Sequence, residues 1–238
     1  MSGHSHFKTV AATKNANDAK KGKIFSKMAK VITIAVKGGG PDVSSNIQLK
    51  AAIEKAKEFN MPKENIERAI KKGTGELVGE NLEEVSFEGF GPGGFAIIID
   101  GITDNKNRSL GEIKGILSQY DGKMAGEGAV RWMFEQKGYL QINAGGKPKE
   151  ELELLAIESG ADDVRFNGDT VEIYTKPEDF EKVKKALEEK GLKAEVANLG
   201  WMPKEEISVG EKERQKAEKM FEELSENDSV QNIYSNLK

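Results

Sequence analysis

The stretch that organises the chain is KKGKIFSKMAKVITIAVK, residues 20–37. At 3.6 residues per turn, its apolar side chains form one stripe and most of its lysines gather on the opposite arc. The stripe contains Ile24, Met28, Val31 and Ala35, with Phe25 and Ile32 beside it. The opposite arc contains Lys20, Lys23, Lys27, Lys30 and Lys37, and Lys21 alone falls on the apolar side. The stretch predicts a helix that buries one face and exposes a row of ammonium groups, either to solvent alone or to a polyanion.

Two further helices are predicted to pack on the first. Gly38-Gly39-Gly40-Pro41 ends the first helix, and Ser44 or Ser45 is expected to cap a second one that ends near Asn60. Pro62 fits the first turn of a third helix that extends to Lys72. On this helix Glu64 with Arg68 and Glu67 with Lys71 have the spacing of ion pairs. The residues before the first helix are small and polar, so we expect a flexible basic arm there.

Charge is distributed unevenly along a chain whose formal net charge is only −4. Residues 1–73 hold 15 Lys and Arg against 6 Asp and Glu, whereas the remaining residues hold 21 against 34. This asymmetry predicts a basic module that binds nucleic acid, joined to an acidic body that repels it. The candidate nucleic-acid-binding residues are Lys8, Lys14, Lys20, Lys21, Lys23, Lys27, Lys30, Arg68, Lys71 and Lys72.

The pattern changes from helices to alternating strands and helices after about residue 82. Strands are predicted at 84–90, 94–101 and 129–134, with a helix at 107–119. Residues 139–198 then follow the order β-α-β-β-α-β, which is the ferredoxin-like order. A strand at 206–209, a helix at 211–224 and a strand at 230–234 have no partners of their own. We expect them to complete the sheet that begins at residue 84.

The predicted fold class is therefore α+β. It consists of an N-terminal three-helix bundle and two α+β domains, of which the third is ferredoxin-like and inserted in the second. The predicted domains are 1–77, a basic helical domain with a flexible arm; 82–135 together with 201–238, a middle α+β domain; and 136–200, the insertion.

No group of residues in the sequence indicates catalysis. The chain has no cysteine, and its two histidines, His4 and His6, lie in the N-terminal arm. Asp100 and Asp104 lack a suitably spaced third carboxylate for a cation, so solvated carboxylates are the simpler interpretation. The glycine-rich stretch 91–94 is not followed by Lys-Ser/Thr, which favours a hairpin over a nucleotide-binding loop. Trp132 and Trp201 are predicted to be core residues, and neither an enzyme nor a cofactor is predicted.

The sequence also lacks the signals of membrane insertion and secretion. No apolar run approaches the ~18 residues that a transmembrane helix needs. The first residues, Met1 to His6, lack the apolar region of a signal peptide. We therefore expect a cytoplasmic protein with no membrane partner.

Several motifs resemble the YebC/PmpR family. They are Gly3-His4-Ser5, Asp18, GKIFSK at 22–27, Gly38-Gly39-Gly40, LKAAIEKAKEFNMPKENIERAIKKGTGEL at 49–77, FEGFGPGGFAIIID at 87–100, TDNKNR at 103–108 and GAVRW at 128–132. The resemblance covers nearly the whole chain. It implies the three-domain architecture predicted above, and a cytoplasmic bacterial protein described as a probable DNA-binding transcriptional regulator.

The same resemblance implies a second possible function. Mitochondrial relatives are described as translational activators of cytochrome c oxidase, and bacterial members are tied to ribosomes stalled on proline-rich stretches. The alternative is therefore a translation factor that binds ribosomal RNA through the basic module. The arm departs from the family pattern, since family members commonly carry basic or potentially basic residues at the positions of Ala11, Ala12 and Thr13. This difference shifts the predicted binding toward the first helix, and the oligomeric state is left open.

Overall fold

The protein is described by a computed structural model that covers residues 8, 9 and 18–238, with side chains from residue 21 onward. It divides into two compact units, one formed by Arg131–Glu206 and the other by the described residues up to 130 together with Ile207–Leu237. The helices are α1 (Asp18–Gly39), α2 (Ile47–Glu58), α3 (Lys63–Thr74), α4 (Lys106–Gln119), α5 (Lys149–Glu158), α6 (Phe180–Glu189) and α7 (Glu211–Glu226). The strands are β1 (Lys8–Thr9), β2 (Glu83–Phe90), β3 (Ala96–Thr103), β4 (Lys123–Ala125), β5 (Phe134–Asn143), β6 (Asp163–Asn167), β7 (Thr170–Thr175), β8 (Ala194–Pro203) and β9 (Val230–Ser235).

Helices α1, α2 and α3 form the predicted bundle around the apolar stripe of α1. Met28, Ile32, Ala35 and Val36 of α1 pack in a buried cluster with apolar residues of the other two helices, which include Leu49, Ile53, Ala56, Ile66 and Ala69. A buried hydrogen bond also joins α1 to α3, since the hydroxyl of Thr33 donates to the carbonyl of Ala69 at 3.1 Å. The period of the apolar residues thus determines which face of α1 lies inward.

The cap of α2 is Asn46 and not either of the serines that the sequence suggested. Its side-chain oxygen accepts from the backbone N–H of Leu49 at 3.0 Å, and its amide donates to the carbonyls of Ala35 and Gly40, each at 2.8 Å. Ser44 and Ser45 instead bond to the carboxylate of Asp42. The buried amide of Asn46 therefore both caps α2 and ties it to the end of α1.

Replacing Asn46 with alanine tests this connection. The expected result is a loss of about 1–2 kcal/mol in the free energy of unfolding, because one helix cap and two carbonyl contacts disappear. The measurement is urea unfolding followed by circular dichroism. Ser45→Ala is the matched control, and the assignment of the cap is contradicted if the two variants lose equal stability.

A five-stranded sheet follows the bundle in the same unit, with the order β1-β9-β3-β2-β4. Strand β9 pairs antiparallel with β3 from Ile97↔Ser235 to Gly101↔Val230. The expectation that the C-terminal segment completes the sheet begun near residue 84 is therefore confirmed. Helices α4 and α7 cover one face of this sheet, where Phe95 and Phe221 pack with their rings 5.7 Å apart in the main buried cluster.

The unit Arg131–Glu206 has the ferredoxin-like order of elements that the sequence predicted. Its four strands lie in the order β6-β7-β5-β8, all antiparallel to their neighbours. Helices α5 and α6 pack on one face through Leu152, Ala156, Val183 and Leu187, against Leu140 and Ile173 of the central strands. The long pairing of β5 with β8 forms one side of the sheet and leaves β8 at an edge.

Three local predictions were wrong. Residues 129–134 are not a strand; a short 3₁₀ turn occupies Arg131–Met133, and the preceding strand is β4. The predicted strand at 206–209 is reduced to a single bridge between Ile207 and Leu237. Trp132 is 65% exposed and not a core residue. The domain boundaries drawn from the sequence stay a prediction, because the two units place the helical bundle and the five-stranded sheet together.

Candidate nucleic-acid interface

The lysine row of α1 does not project freely into solvent. Lys23, Lys27 and Lys30 lie one and two turns apart on α1, and all three reach the turn between α7 and β9. The ammonium of Lys27 donates to the carbonyls of Ser225 and Val230, each at 2.8 Å. Lys23 pairs with the carboxylate of Glu226 at 3.0 Å, and Lys30 donates to the carbonyl of Asp228 at 3.0 Å. The row therefore fastens α1 to the end of α7 and the start of β9.

Lys27 is the centre of this contact. It is only 3% exposed, and burial lowers the pKa of its ammonium group to about 7, although the nearby carboxylate of Asp228 opposes the shift. The carbonyl of Ser225 lies in the last turn of α7, where the helix leaves carbonyls unpaired and a cation is favourable. The expectation that Lys27 belongs to an exposed row is wrong, because the turn between α7 and β9 covers this part of the opposite face of α1.

A groove beside this contact is lined by both basic and acidic side chains. Its volume is about 550 Å³, and its lining includes Lys23, Lys30, Lys72 and Arg108. Five acidic residues line the same groove: Glu80, Asp104, Glu112, Glu226 and Asp228. Arg108 forms an ion pair with Asp104, which raises the pKa of the guanidinium group and lowers that of the carboxyl. The mixture of signs gives the groove no clear preference for a polyanion.

The basic end of α3, defined here as Arg68, Lys71 and Lys72, differs from the α1 row in two respects. All three side chains are exposed. Arg68 and Lys71 lie opposite the buried Ile66 and Ala69, and Lys72 lies beside them on the side of the groove described above. Within the described part of the chain, none of the three forms an ion pair. Of the pairs predicted for α3, Glu64–Arg68 and Glu67–Lys71 are absent there, and Glu67 pairs instead with Lys63 at 3.6 Å. The three charges of the basic end are thus available to a ligand.

The remaining predicted binding residues can be placed only in part. Lys21 is exposed on α1. Lys8 and Lys20 lie in β1 and α1, but their side chains are outside the described portion, as is the whole of Lys14. Sequence reasoning left out Lys50 and Lys57, which the structure places exposed on α2. Their only signal was their contribution to the positive charge of residues 1–73.

The described residues hold neither a group of metal-ligating side chains nor a membrane-spanning helix. Across residues 8, 9 and 18–238, no three His, Asp or Glu side chains are arranged to hold a metal ion. The helices of this same part of the chain are all too short or too polar to cross a membrane. His4 and His6 fall outside the described residues.

The architecture defines a class of three-part α+β proteins, in which a helical bundle precedes a sheet domain that is interrupted by a ferredoxin-like unit. The chain belongs to the TACO1/YebC family. The sequence model of the TACO1/YebC N-terminal domain matches residues 5–76, and that of the second and third domains matches residues 82–237. The match confirms the resemblance seen in the motifs.

Similar proteins carry the name of a regulator. A probable transcriptional regulatory protein of Dictyoglomus thermophilum is 47% identical, with 99% of this chain and 95% of the relative covered. One from Thermoanaerobacter pseudethanolicus is 46% identical, with 100% and 97% covered. The crystal structure of a conserved hypothetical protein from Aquifex aeolicus matches with a TM-score of 0.85 at 41% identity, with 95% of this chain and 96% of that chain covered.

Proposed function

We propose that this protein is a DNA-binding transcriptional regulator that contacts the duplex through the basic end of α3. The observation that carries the proposal is the set of three exposed cations on one face of one helix, with no ion-pair partner in the described residues. The names of the relatives support regulation of transcription. The acidic remainder of the chain supports a contact limited to the helical bundle, because it repels phosphate elsewhere.

The chemistry of α3 favours contact with phosphates over reading of bases. Lysine and arginine side chains bind phosphate oxygens without regard to sequence, whereas base recognition uses a set of Asn, Gln and Arg side chains aimed into the groove. The other exposed charges on α3 are Lys63, Glu64 and Glu67, in its N-terminal half, where Lys63 pairs with Glu67. Two carboxylates there disfavour deep insertion of this end into a groove. We therefore expect the basic end to provide affinity and little sequence preference.

Binding of the full chain to duplex DNA at several salt concentrations tests the proposal. Fluorescence anisotropy should show log K falling with log salt, by roughly 0.9 per phosphate contact. Crosslinking in cells, followed by sequencing, should show discrete chromosomal sites. The alternative, a translation factor, is tested by sedimenting ribosomes from lysate, with and without nuclease, and measuring whether the protein sediments with them. Retention on ribosomes without discrete chromosomal sites would contradict transcriptional regulation and favour a translation factor.

A further inference from the structure

The helical bundle and the five-stranded sheet have separate apolar cores. The buried cluster of the bundle contains residues of the segment from Met28 to Ala69, whereas that of the sheet begins at Val85. Among the described residues, no side chain belongs to both clusters. Parts of one chain move relative to each other unless a large apolar interface holds them together. A shared apolar core therefore does not fix the position of the bundle on the sheet.

Polar contacts join the two parts instead. Lys23, Lys27 and Lys30 of α1 bond to the turn between α7 and β9, and we call this set of bonds the α1–turn contact. Near the other end of α1, the ammonium of Lys37 donates to the carbonyl of Leu82 at 3.5 Å. An ammonium group that leaves such acceptors regains its hydration, and Lys27 gains the most because it is only 3% exposed. The contact can therefore open without disturbing either core.

The turn that accepts these bonds is held in place by the sheet part of the protein. The hydroxyl of Ser229 lies 2.8 Å from that of Ser109 on α4, and both residues are buried. The side-chain amide of Asn227 donates to the carboxylate of Glu112, also on α4, at 2.9 Å. The turn thus keeps its shape without α1, because its own bonds are made to α4.

The chain that connects the bundle to the sheet is exposed. Residues 75–81 lie between α3 and β2, all of them are exposed, and Val78 is fully so. Ahead of α1, strand β1 pairs with β9 and ties the chain to the sheet at a second place. The bundle can therefore tilt on its connections but cannot leave the sheet altogether.

From this arrangement we propose that the bundle tilts away from the sheet as one folded body when the α1–turn contact opens, with residues 75–81 as the hinge. In the docked form Lys27 is buried against the turn, and in the open form it is in water. Each form keeps both apolar cores intact, so the two forms differ mainly in polar contacts. The device makes the orientation of the basic module relative to the acidic remainder of the chain adjustable.

Opening should depend on pH, because Lys27 moves from protein into water. The charged groups that face Lys27 are Lys23 and Lys30 on its own helix and Glu226 and Asp228 on the turn, two of each sign. Burial lowers the pKa of Lys27 to about 7 in the docked form, and its ordinary value of 10.5 returns in the open form. Between these values the open form binds more protons, so a rise in pH favours the docked form. The ratio of open to docked molecules should fall about fiftyfold from about pH 7 to pH 9.

Single-molecule energy transfer between two dyes on the full chain measures this ratio. The chain has no cysteine, so Lys57→Cys on α2 and Lys114→Cys on α4 provide its two thiols, and both positions are exposed. Without DNA, and from about pH 6 to pH 9, the parent should show two populations with different dye separations, in the ratio given above. Lys27→Met should lose the pH dependence, because methionine does not titrate.

A charge reversal at the same position should have a larger effect. Lys27→Glu brings a carboxylate against the carbonyls of Ser225 and Val230, so the open form should predominate at every pH. Circular dichroism should show unchanged helix content, since the apolar stripe of α1 is kept. Lys50→Glu on α2 is the matched control, because it makes the same change in charge at an exposed position and should stay docked like the parent.

Three results would overturn the proposal. They are a single docked population of the parent at every pH, an equal pH dependence in the parent and Lys27→Met, and a folded Lys27→Glu variant that stays docked. If Lys27→Glu loses its helix content, the parent and Lys27→Met decide the question. No DNA is present and no residue of α3 is changed, so this proposal and DNA binding by α3 fail separately.

Discussion

Replacing Arg68, Lys71 and Lys72 together with glutamine is expected to weaken DNA binding about a hundredfold at about 0.15 M salt. Each neutralised phosphate contributes about 0.9 to the slope of log K against log salt, so the slope should become shallower by about 3 units. The fold should survive, because the three side chains are exposed and Ile66 and Ala69 keep the packing of α3. The measurement is fluorescence anisotropy of a labelled duplex across a salt series.

The control for this triple variant removes the same charge elsewhere. Lys182, Lys212 and Lys219 are exposed on α6 and α7, and none of them belongs to the helical bundle. Changing these three to glutamine gives an equal change in net charge. If the two triple variants lose equal affinity, binding follows total charge and the basic end of α3 is not the site.

Lys27→Met should change how stability depends on pH. In the folded protein the pKa of Lys27 is lowered by burial to about 7, against 10.5 for an unperturbed lysine. Between these two values the unfolded chain binds more protons than the folded one, so this lysine makes stability rise with pH. The free energy of unfolding of the parent, relative to Lys27→Met, should therefore increase by about 2 kcal/mol from about pH 7 to pH 9.

Urea unfolding at several pH values measures this difference, and comparison with Lys27→Met cancels the titration of all other groups. Below about pH 6 the difference between the two proteins should be constant, since Lys27 is protonated in both states. Lys71→Met, which removes an exposed lysine of the same helical bundle, is the control variant. A constant difference between the parent and Lys27→Met from about pH 6 to pH 9 would mean that Lys27 is solvated, and that α1 is not held to the α7–β9 turn as described.

The fold was predictable because its elements carry periodic apolar patterns. The stripe of α1 and the β-α-β-β-α-β order of the insertion each follow from local spacing, and both are confirmed. The sequence also predicted that the C-terminal segment completes the sheet begun at residue 84, since that segment had no partner of its own, and the structure shows that β9 pairs with β3. The predicted strand boundaries were wrong where pairing depends on residues distant in sequence. The predicted strand at 206–209 has one partner residue only, Leu237, and remains a bridge.

The candidate site could be narrowed down from composition, but its position on one helix could not be predicted. A count of charges locates the basic module, but lysines on α1 and α3 look alike in sequence. What separates them is a contact about 200 residues distant, between Lys27 and the carbonyls of Ser225 and Val230. Those acceptors are backbone carbonyls, so the residue types in the sequence do not reveal them. A helix can therefore carry a lysine in its polar row and still bury that lysine against protein.

The central claim is that Lys27 of α1 binds groups within the protein, whereas Lys71 and Lys72 of α3 bind DNA. Chemical modification of lysines, with and without DNA, tests this claim most directly. An amine-reactive reagent is applied to the full chain, alone and with a saturating duplex, and mass spectrometry measures the rate at each lysine. In the free protein Lys27 should react far more slowly than Lys71 and Lys72. On DNA, Lys71 and Lys72 should become protected while Lys27 does not change. Rapid modification of Lys27 in the free protein, with protection of Lys23, Lys27 and Lys30 on DNA, would contradict the account.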